Sequence, residues 1–298
     1  MTVNGTLRLS LALPPGYRPD DILRFHQRDP EQTAERVEGR TLVKGLAWYG
    51  ERAALHVHFE EGSARVEVQL GTALSDGDEE AMTRLCQRLL GLTQPVEAFE
   101  EAHHGHPDVG RLIRARPGLR VAQAATPFEA ATWAVIGQQI SVSAATAVRR
   151  KLIRAADLRH ASGVLAYPDA EQVAAMDDDS LRATGLSRTK VHTIRALSDG
   201  VVNSELPLGA GAELTDVDAL RTRLRAIRGV GPWTVNYTLL RGFSWLDGAM
   251  EGDLGVRRSL QSLLGRREQP GERETGQWLA EFSPWRALVA AHLWAMSA

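Results

Sequence analysis

The chain has 298 residues, 43% hydrophobic and 24% charged, the proportions of a soluble globular protein long enough for two domains and a substantial core. A single cysteine, Cys86, excludes an internal disulfide, an iron–sulfur cluster and a cysteine-rich zinc site, and fits a reducing cytoplasm. No apolar run nears the roughly 20 residues that span a bilayer, and the opening MTVNGTLRLS lacks the basic-then-apolar plan of a signal peptide, so a cytoplasmic protein with no membrane partner is expected.

The formal net charge is −2, but it is unevenly spread. Residues 1–100 hold 11 Arg and Lys against 16 Asp and Glu. Between 110 and 160, nine basic residues (Arg111, Arg114, Arg116, Arg120, Arg149, Arg150, Lys151, Arg154 and Arg159) stand against only Glu129 and Asp157. That segment either offers a basic face to a polyanion or forms a solvated helix surface.

Residues 1–95 read as an α+β domain. Leu7, Leu9, Leu11 and Leu13 alternate onto one strand face. Leu55, Val57 and Phe59 do the same, as do Val66, Val68 and Leu70, with a hairpin turn at Gly62–Ser63 between these two runs. Helices are expected near 20–28 and 79–91, the second favoured by Asp78, Glu79 and Glu80 at its N-terminus. From 96 to 298 strand alternation stops, and at least six helices are expected in a compact all-α unit. Start signals are the capping box Thr126-Pro127-Phe128-Glu129, the similar Thr215-Asp216-Val217-Asp218, and Ser283-Pro284-Trp285 before the last helix. His103, His104 and His106 lack the i,i+4 spacing of helical metal ligands and read as a solvated turn, so no metal site is assigned.

The most informative stretch is LRAIRGVGPWTVNY, residues 224–237. Leu220, Leu224 and Ile227 form one apolar stripe of a helix running to Arg228. Gly229 suits a C-cap with positive φ, Gly231 would let another backbone approach, and Pro232 suits the first position of a second helix. The free N–H groups at that helix start suit a phosphate, although a purely structural αα-hairpin has the same signature.

LRAIRGVGPWTVNYTLLRGF followed by MEGDLGVRRSL resembles the helix-hairpin-helix superfamily of DNA base-excision glycosylases. ARPGLRVAQAATPFEAATWAVIGQQISVSAA, GLSRTKVHTIRAL and SPWRALVAAHLW match in the same order, and with the α+β domain they look most like the alkylbase branch, DNA-3-methyladenine glycosylase II. The resemblance implies an α+β N-terminal domain followed by an all-α helix-hairpin-helix glycosylase domain, with the active-site cleft between two helical subdomains. It implies a monomer acting on double-stranded DNA that contains alkylated bases, in base excision repair.

Residue roles follow from the resemblance. Asp253 is the catalytic carboxylate, stabilising oxocarbenium character on the sugar and handling the attacking water. Read alone, it also suits the N-cap of the helix beginning at Leu254. Glu251 is its close carboxylate competitor, and Gly252 stands where relatives often carry a second Asp. Trp233, Tyr237 and Trp294 are the base-pocket aromatics, whose faces favour electron-poor or cationic bases. Read singly, Trp294 suits a buried core position and the neighbouring His292 a core histidine. Gly229 and Gly231, with Trp233, would bind a DNA phosphate through backbone N–H groups. The wedge that fills the gap left by a flipped base is either Gln139 or Ile140. Trp233 stands where strand-cutting relatives keep a nucleophilic lysine, so no Schiff base is expected, and Lys190 reads as structural or phosphate-facing. No cofactor is required, and family hairpins imply a monovalent cation on carbonyls between Arg225 and Val230. The rival readings are a glycosylase for an oxidised or deaminated purine and a non-catalytic DNA-binding module.

Overall fold

The computed structural model describes residues 5–296. It begins with β1 (Thr6–Ala12), α1 (Pro19–His26), β2 (Glu35–Glu38), β3 (Thr41–Trp48), β4 (Glu51–Glu60), β5 (Ser63–Leu70) and α2 (Asp78–Leu89). The five strands form one antiparallel sheet in the order β1-β5-β4-β3-β2. Glu60 pairs with Ser63, so the β4–β5 turn is Glu61–Gly62, one residue earlier than the sequence suggests. One face is covered by α1 and α2, where Ile22, Leu23, Met82, Leu85 and Leu89 join sheet residues in a single apolar core.

β2 and β3 escape the alternation rule for a physical reason. In β3 the apolar run is interrupted by Lys44 and Gly45, and the strand is covered by the helical part of the chain. A Cβ on Gly45 would stand 2.2 Å from the Leu165 carbonyl oxygen, so only glycine allows that contact. Lys44 lies on the same face as Leu42 and Leu46 and is 1% exposed.

The helical part comprises α3 (Val96–His103), α4 (Val109–Ala115), α5 (Pro127–Gly137), α6 (Val142–Ala156), α7 (Ala170–Ala175), α8 (Asp178–Ala183), α9 (Arg188–Val202), α10 (Val217–Ala226), α11 (Pro232–Phe243), α12 (Leu254–Leu263), α13 (Glu272–Ala280) and α14 (Arg286–Met296). Its apolar residues divide into two cores. One gathers residues such as Phe128, Leu152, Ile194 and Leu224, and the other Phe99, Leu112, Leu260 and Leu288. The pair α5 and α11 serves both: Val135, Val235 and Leu239 enter the first core, and Ala134, Tyr237 and Leu240 the second. α10 ends at Ala226, short of the expected Arg228, and Ser283–Trp285 form the turn before α14. His103 and His106 pack edge-on against Phe282 at 5.5 and 5.1 Å, so only His104 fits the expected solvated turn.

A buried quartet joins the two parts. The Lys44 Nζ donates to Glu35 Oε1 at 2.6 Å and to Glu129 Oε1 at 3.2 Å. Arg149 donates two hydrogen bonds to Glu35, at 3.0 and 2.7 Å, and one to Glu129 at 2.6 Å. Glu129 therefore does not complete the expected capping box. Its amide donates to Thr126 Oγ1, but its carboxylate accepts from the Ala125 N–H and serves the quartet. Further along α6, Arg150 pairs with Asp29 and Glu31, and Arg154 with Glu31. Part of the basic segment is therefore neutralised by the acidic first domain, while Arg111, Arg114, Lys151 and Arg159 stay exposed to solvent.

Burial pushes the Glu35 carboxyl up, but the Arg149 and Lys44 charges outweigh it and hold it well below the usual carboxylate range. Glu129 is lowered in the same way by Lys44 and Arg149. The stabilisation is complete above the ordinary glutamate value of about 4.3 and is lost as pH falls through the depressed folded values. Lys44→Ala is expected to cost about 3–5 kcal/mol in urea unfolding at neutral pH. The gap between wild type and variant should shrink below about pH 4; a gap independent of pH would contradict the pairing.

Candidate active site

The hairpin between α10 and α11 is built as its glycines suggest, with one difference. Gly229 has φ +92°, and a Cβ there would also stand 2.3 Å from Thr193 Oγ1, so both backbone and space demand glycine. Gly231 is the N-cap of α11 with ordinary extended backbone, and a Cβ there would meet nothing within 4 Å. The space on the side-chain side of Gly231 is open. The N–H groups of Gly229 and Gly231 bond no other group among the described residues. Thr193 Oγ1 donates to the Arg228 carbonyl at 2.8 Å, and Gln138 Nε2 to the Gly229 carbonyl at 2.9 Å. Two of the carbonyls expected to hold a cation are thus already engaged.

Gln138 also donates to Thr234 Oγ1 at 2.9 Å, which ties the α5–α6 turn to the hairpin. The next two residues are turned outward. Gln139 is exposed with φ +58°, and Ile140 is 41% exposed. Lys190 is structural: its Nζ donates to the carbonyls of Ile136 and Gln138, both at 2.9 Å, closing the C-terminus of α5.

Asp253 lies where three helices meet. It is the N-cap of α12, with Oδ1 accepting the Val256 N–H at 3.0 Å. Oδ1 also accepts the Trp294 indole N–H from the last turn of α14 at 2.9 Å, and Oδ2 accepts that of Trp233 from the first turn of α11 at 2.9 Å. Its capping and site placements are therefore one arrangement. A carboxylate has about four lone-pair positions; three N–H groups fill three, leaving one on Oδ2. No hydrogen bond joins Glu251 to either indole; it packs against Gly276 of α13. Gly255 matters beside it, because a Cβ there would stand 3.1 Å from Asp253 Oδ1 and 3.3 Å from Trp294 Cδ1.

The rings of Trp233 and Tyr237 are 5.2 Å apart, and those of Tyr237 and Trp294 6.5 Å. Trp294 is half-buried, not sealed in the core. His292 is buried against Phe99, and burial lowers it to about 4, which makes it a neutral core residue. Behind Tyr237 lies a small cavity of about 30 Å³ between the two parts of the chain, lined by Phe25, His26, Arg28, Trp133, Tyr237 and Arg241 among others. Five of these residues have no place in the sequence reading: Phe25, His26, Arg28, Trp133 and Arg241. For Arg241 a signal existed, since residues 233, 237 and 241 recur at i, i+4 and i+8 on α11. Phe25 and Arg28 come from the first domain, and no local pattern links them to α11.

Residues 132–284 match the family described as HhH-GPD superfamily base excision DNA repair protein, and residues 7–126 match the AlkA N-terminal domain. A probable bifunctional transcriptional activator/DNA repair enzyme AlkA of Mycobacterium tuberculosis is 32% identical over 71% of this chain and 42% of its own length. DNA-3-methyladenine glycosylase 2 of Escherichia coli strain K12 is 27% identical over 62% of this chain and 63% of its own. The chain thus spans less than two thirds of either relative. The solved 3-methyladenine DNA-glycosylase from Archaeoglobus fulgidus has the same fold, with TM-score 0.81 at 21% identity, covering 96% of this chain and 97% of that one.

The grip on Asp253 is checkable without any assay of activity. Among the seven tryptophans, the two indole N–H resonances removed by Trp233→Phe and Trp294→Phe should be the two that move and exchange faster in Asp253→Ala. Unmoved resonances would contradict the geometry.

Proposed function

The chain belongs to the HhH-GPD superfamily of base excision DNA repair proteins, and on that premise we propose that it is a monofunctional DNA glycosylase for alkylated bases. It acts as a cytoplasmic monomer on double-stranded DNA, flips out 3-methyladenine and related purines, hydrolyses the N-glycosidic bond and leaves an abasic site. The observation that carries this reading is the Asp253 carboxylate, fixed by two indole N–H groups beside the clustered rings of Trp233, Tyr237 and Trp294.

Breaking the bond leaves positive charge on the sugar, and a carboxylate that is already oriented stabilises it without reorganising in the transition state. The one lone-pair position left on Oδ2 accepts a hydrogen from the attacking water. Trp233, Tyr237 and Trp294 hold the base. The N–H groups of Gly229, Gly231 and Trp233 hold a phosphate at the start of α11, where the helix dipole favours an anion. Gln139 and Ile140 stand at the turn that fills the vacated stack. The reaction needs no cofactor, and a monovalent cation at the hairpin remains part of the proposal. A non-catalytic DNA-binding module could use the same three bonds to hold its helices, but would have no use for the lone-pair position left open on Oδ2. Among the described residues, no helix is long and apolar enough to cross a membrane.

Two assays test the reading. Wild type should release free bases from methylated DNA, and Asp253→Asn should bind that DNA yet turn over slower by on the order of 10²–10³-fold. No base release by wild type would sink the proposal, and full turnover by the variant would remove Asp253 from it. Trp233 supplies no amine and Lys190 is engaged by two carbonyls, so borohydride should trap no covalent complex with DNA. A trapped complex would contradict the monofunctional assignment.

A further inference from the structure

Where α9 meets the hairpin, a groove of about 380 Å³ opens on the surface, lined by Arg188, Thr189, His192 and Arg228. It presents two guanidiniums and an imidazole, with no acidic side chain among the four. All four residues are exposed. Among the described residues no carboxylate pairs with Arg188 or Arg228. By contrast Arg182, Arg195 and Arg221, on α8, α9 and α10, pair with Asp179, Asp178 and Asp218.

Like charges left unpaired in one concave surface repel each other and focus a positive potential there, which an anion relieves. The groove is also continuous with the hairpin. Thr193, next to His192, donates through Oγ1 to the Arg228 carbonyl at 2.8 Å. A Cβ on the following residue, Gly229, would stand 2.3 Å from that oxygen. The unbonded N–H of Gly229 therefore lies one residue from a side chain that lines the groove. The start of α9 reaches the α5–α6 turn as well, through Lys190 and the carbonyls of Ile136 and Gln138. Building on the reading of the hairpin as a grip on a DNA phosphate, we propose that this groove holds a further backbone phosphate of the same duplex. Arg188 and Arg228 present guanidinium forks to its nonbridging oxygens, and the Thr189 hydroxyl and His192 ring offer donors beside them. Charges recur about every 3.4 Å of helix axis along each strand, so a duplex seated on the hairpin carries further phosphates past its edge. Such contacts read no base; they set register and affinity for damaged and undamaged DNA alike.

The test is the salt dependence of binding to an undamaged duplex by wild type, Arg188→Gln, Arg228→Gln and Arg8→Gln. Each neutralised phosphate contributes about 0.9 to the slope of log K against log salt. Arg188→Gln and Arg228→Gln should each lower that slope by about 1. Arg8→Gln removes an exposed cation that is paired with Glu67 on the sheet, and should leave the slope unchanged. A scan of single neutral methylphosphonates along both strands then locates the contact: one position should weaken wild type but not the two groove variants. Unchanged slopes in both groove variants, an equal drop in Arg8→Gln, or a scan without such a position overturns the inference. His192 ring resonances that move with inorganic phosphate at matched ionic strength, but not with duplex, would assign the groove to a free anion and overturn it too. Base release is a separate readout. Wild type that shows these slopes yet releases no base from methylated DNA keeps the groove and overturns the base-excision reading.

Discussion

The carboxylate of Asp253 is the point on which the helical part converges. It caps α12 and accepts an indole N–H from α11 and another from α14. Hydrogen bonds to a charged acceptor contribute about 1.5–3 kcal/mol each, and here they also fix direction. α11 cannot rotate about its axis without pulling Trp233 off Oδ2, and α14 is held likewise through Trp294. α11 also belongs to both apolar cores, and the carboxylate it helps to hold keeps one lone-pair position on Oδ2 unfilled. Gly255 keeps the space beside Oδ1 free of a side chain. In the proposed reaction, stability and chemistry use the same three bonds.

The acidic first domain acquires a physical task from the quartet of Lys44, Glu35, Glu129 and Arg149. Four charges this deep must be mutually satisfied, so the two parts of the chain have one favourable way to dock. Arg88 of α2 reinforces it by donating to the carbonyls of Ala124, Ala125 and Gly242. Docking brings Phe25 and Arg28 to the cavity wall opposite Tyr237 and Arg241. The domain thus supplies part of the wall of that small cavity.

What was legible in the sequence was local. The Gly229-Val230-Gly231-Pro232 punctuation, the stripe through Leu220 and Leu224, and the alternation of β1, β4 and β5 each depend on neighbours a few residues away. Asp253, Trp233 and Trp294 were found through family resemblance, but nothing in their spacing said that both indoles would share one carboxylate. The misses were long-range. β3 carries a lysine and a glycine because its partners are Glu129 and Leu165, more than 80 residues downstream. The arginines of α6 looked like a basic surface because their acidic partners, Asp29, Glu31 and Glu35, lie more than 100 residues upstream. Charge counted along the chain does not tell a free cation from a paired one.

The central claim is that Asp253 stabilises positive charge on the sugar as the base leaves. The most direct measurement compares binding to two duplexes with abasic analogues of similar shape, a protonated pyrrolidine and an uncharged tetrahydrofuran. Wild type should bind the pyrrolidine duplex tighter by on the order of 10²-fold, and Asp253→Asn should lose that preference while binding the tetrahydrofuran duplex as wild type does. Equal affinity of wild type for both duplexes, or an undiminished preference in Asp253→Asn, would contradict the account.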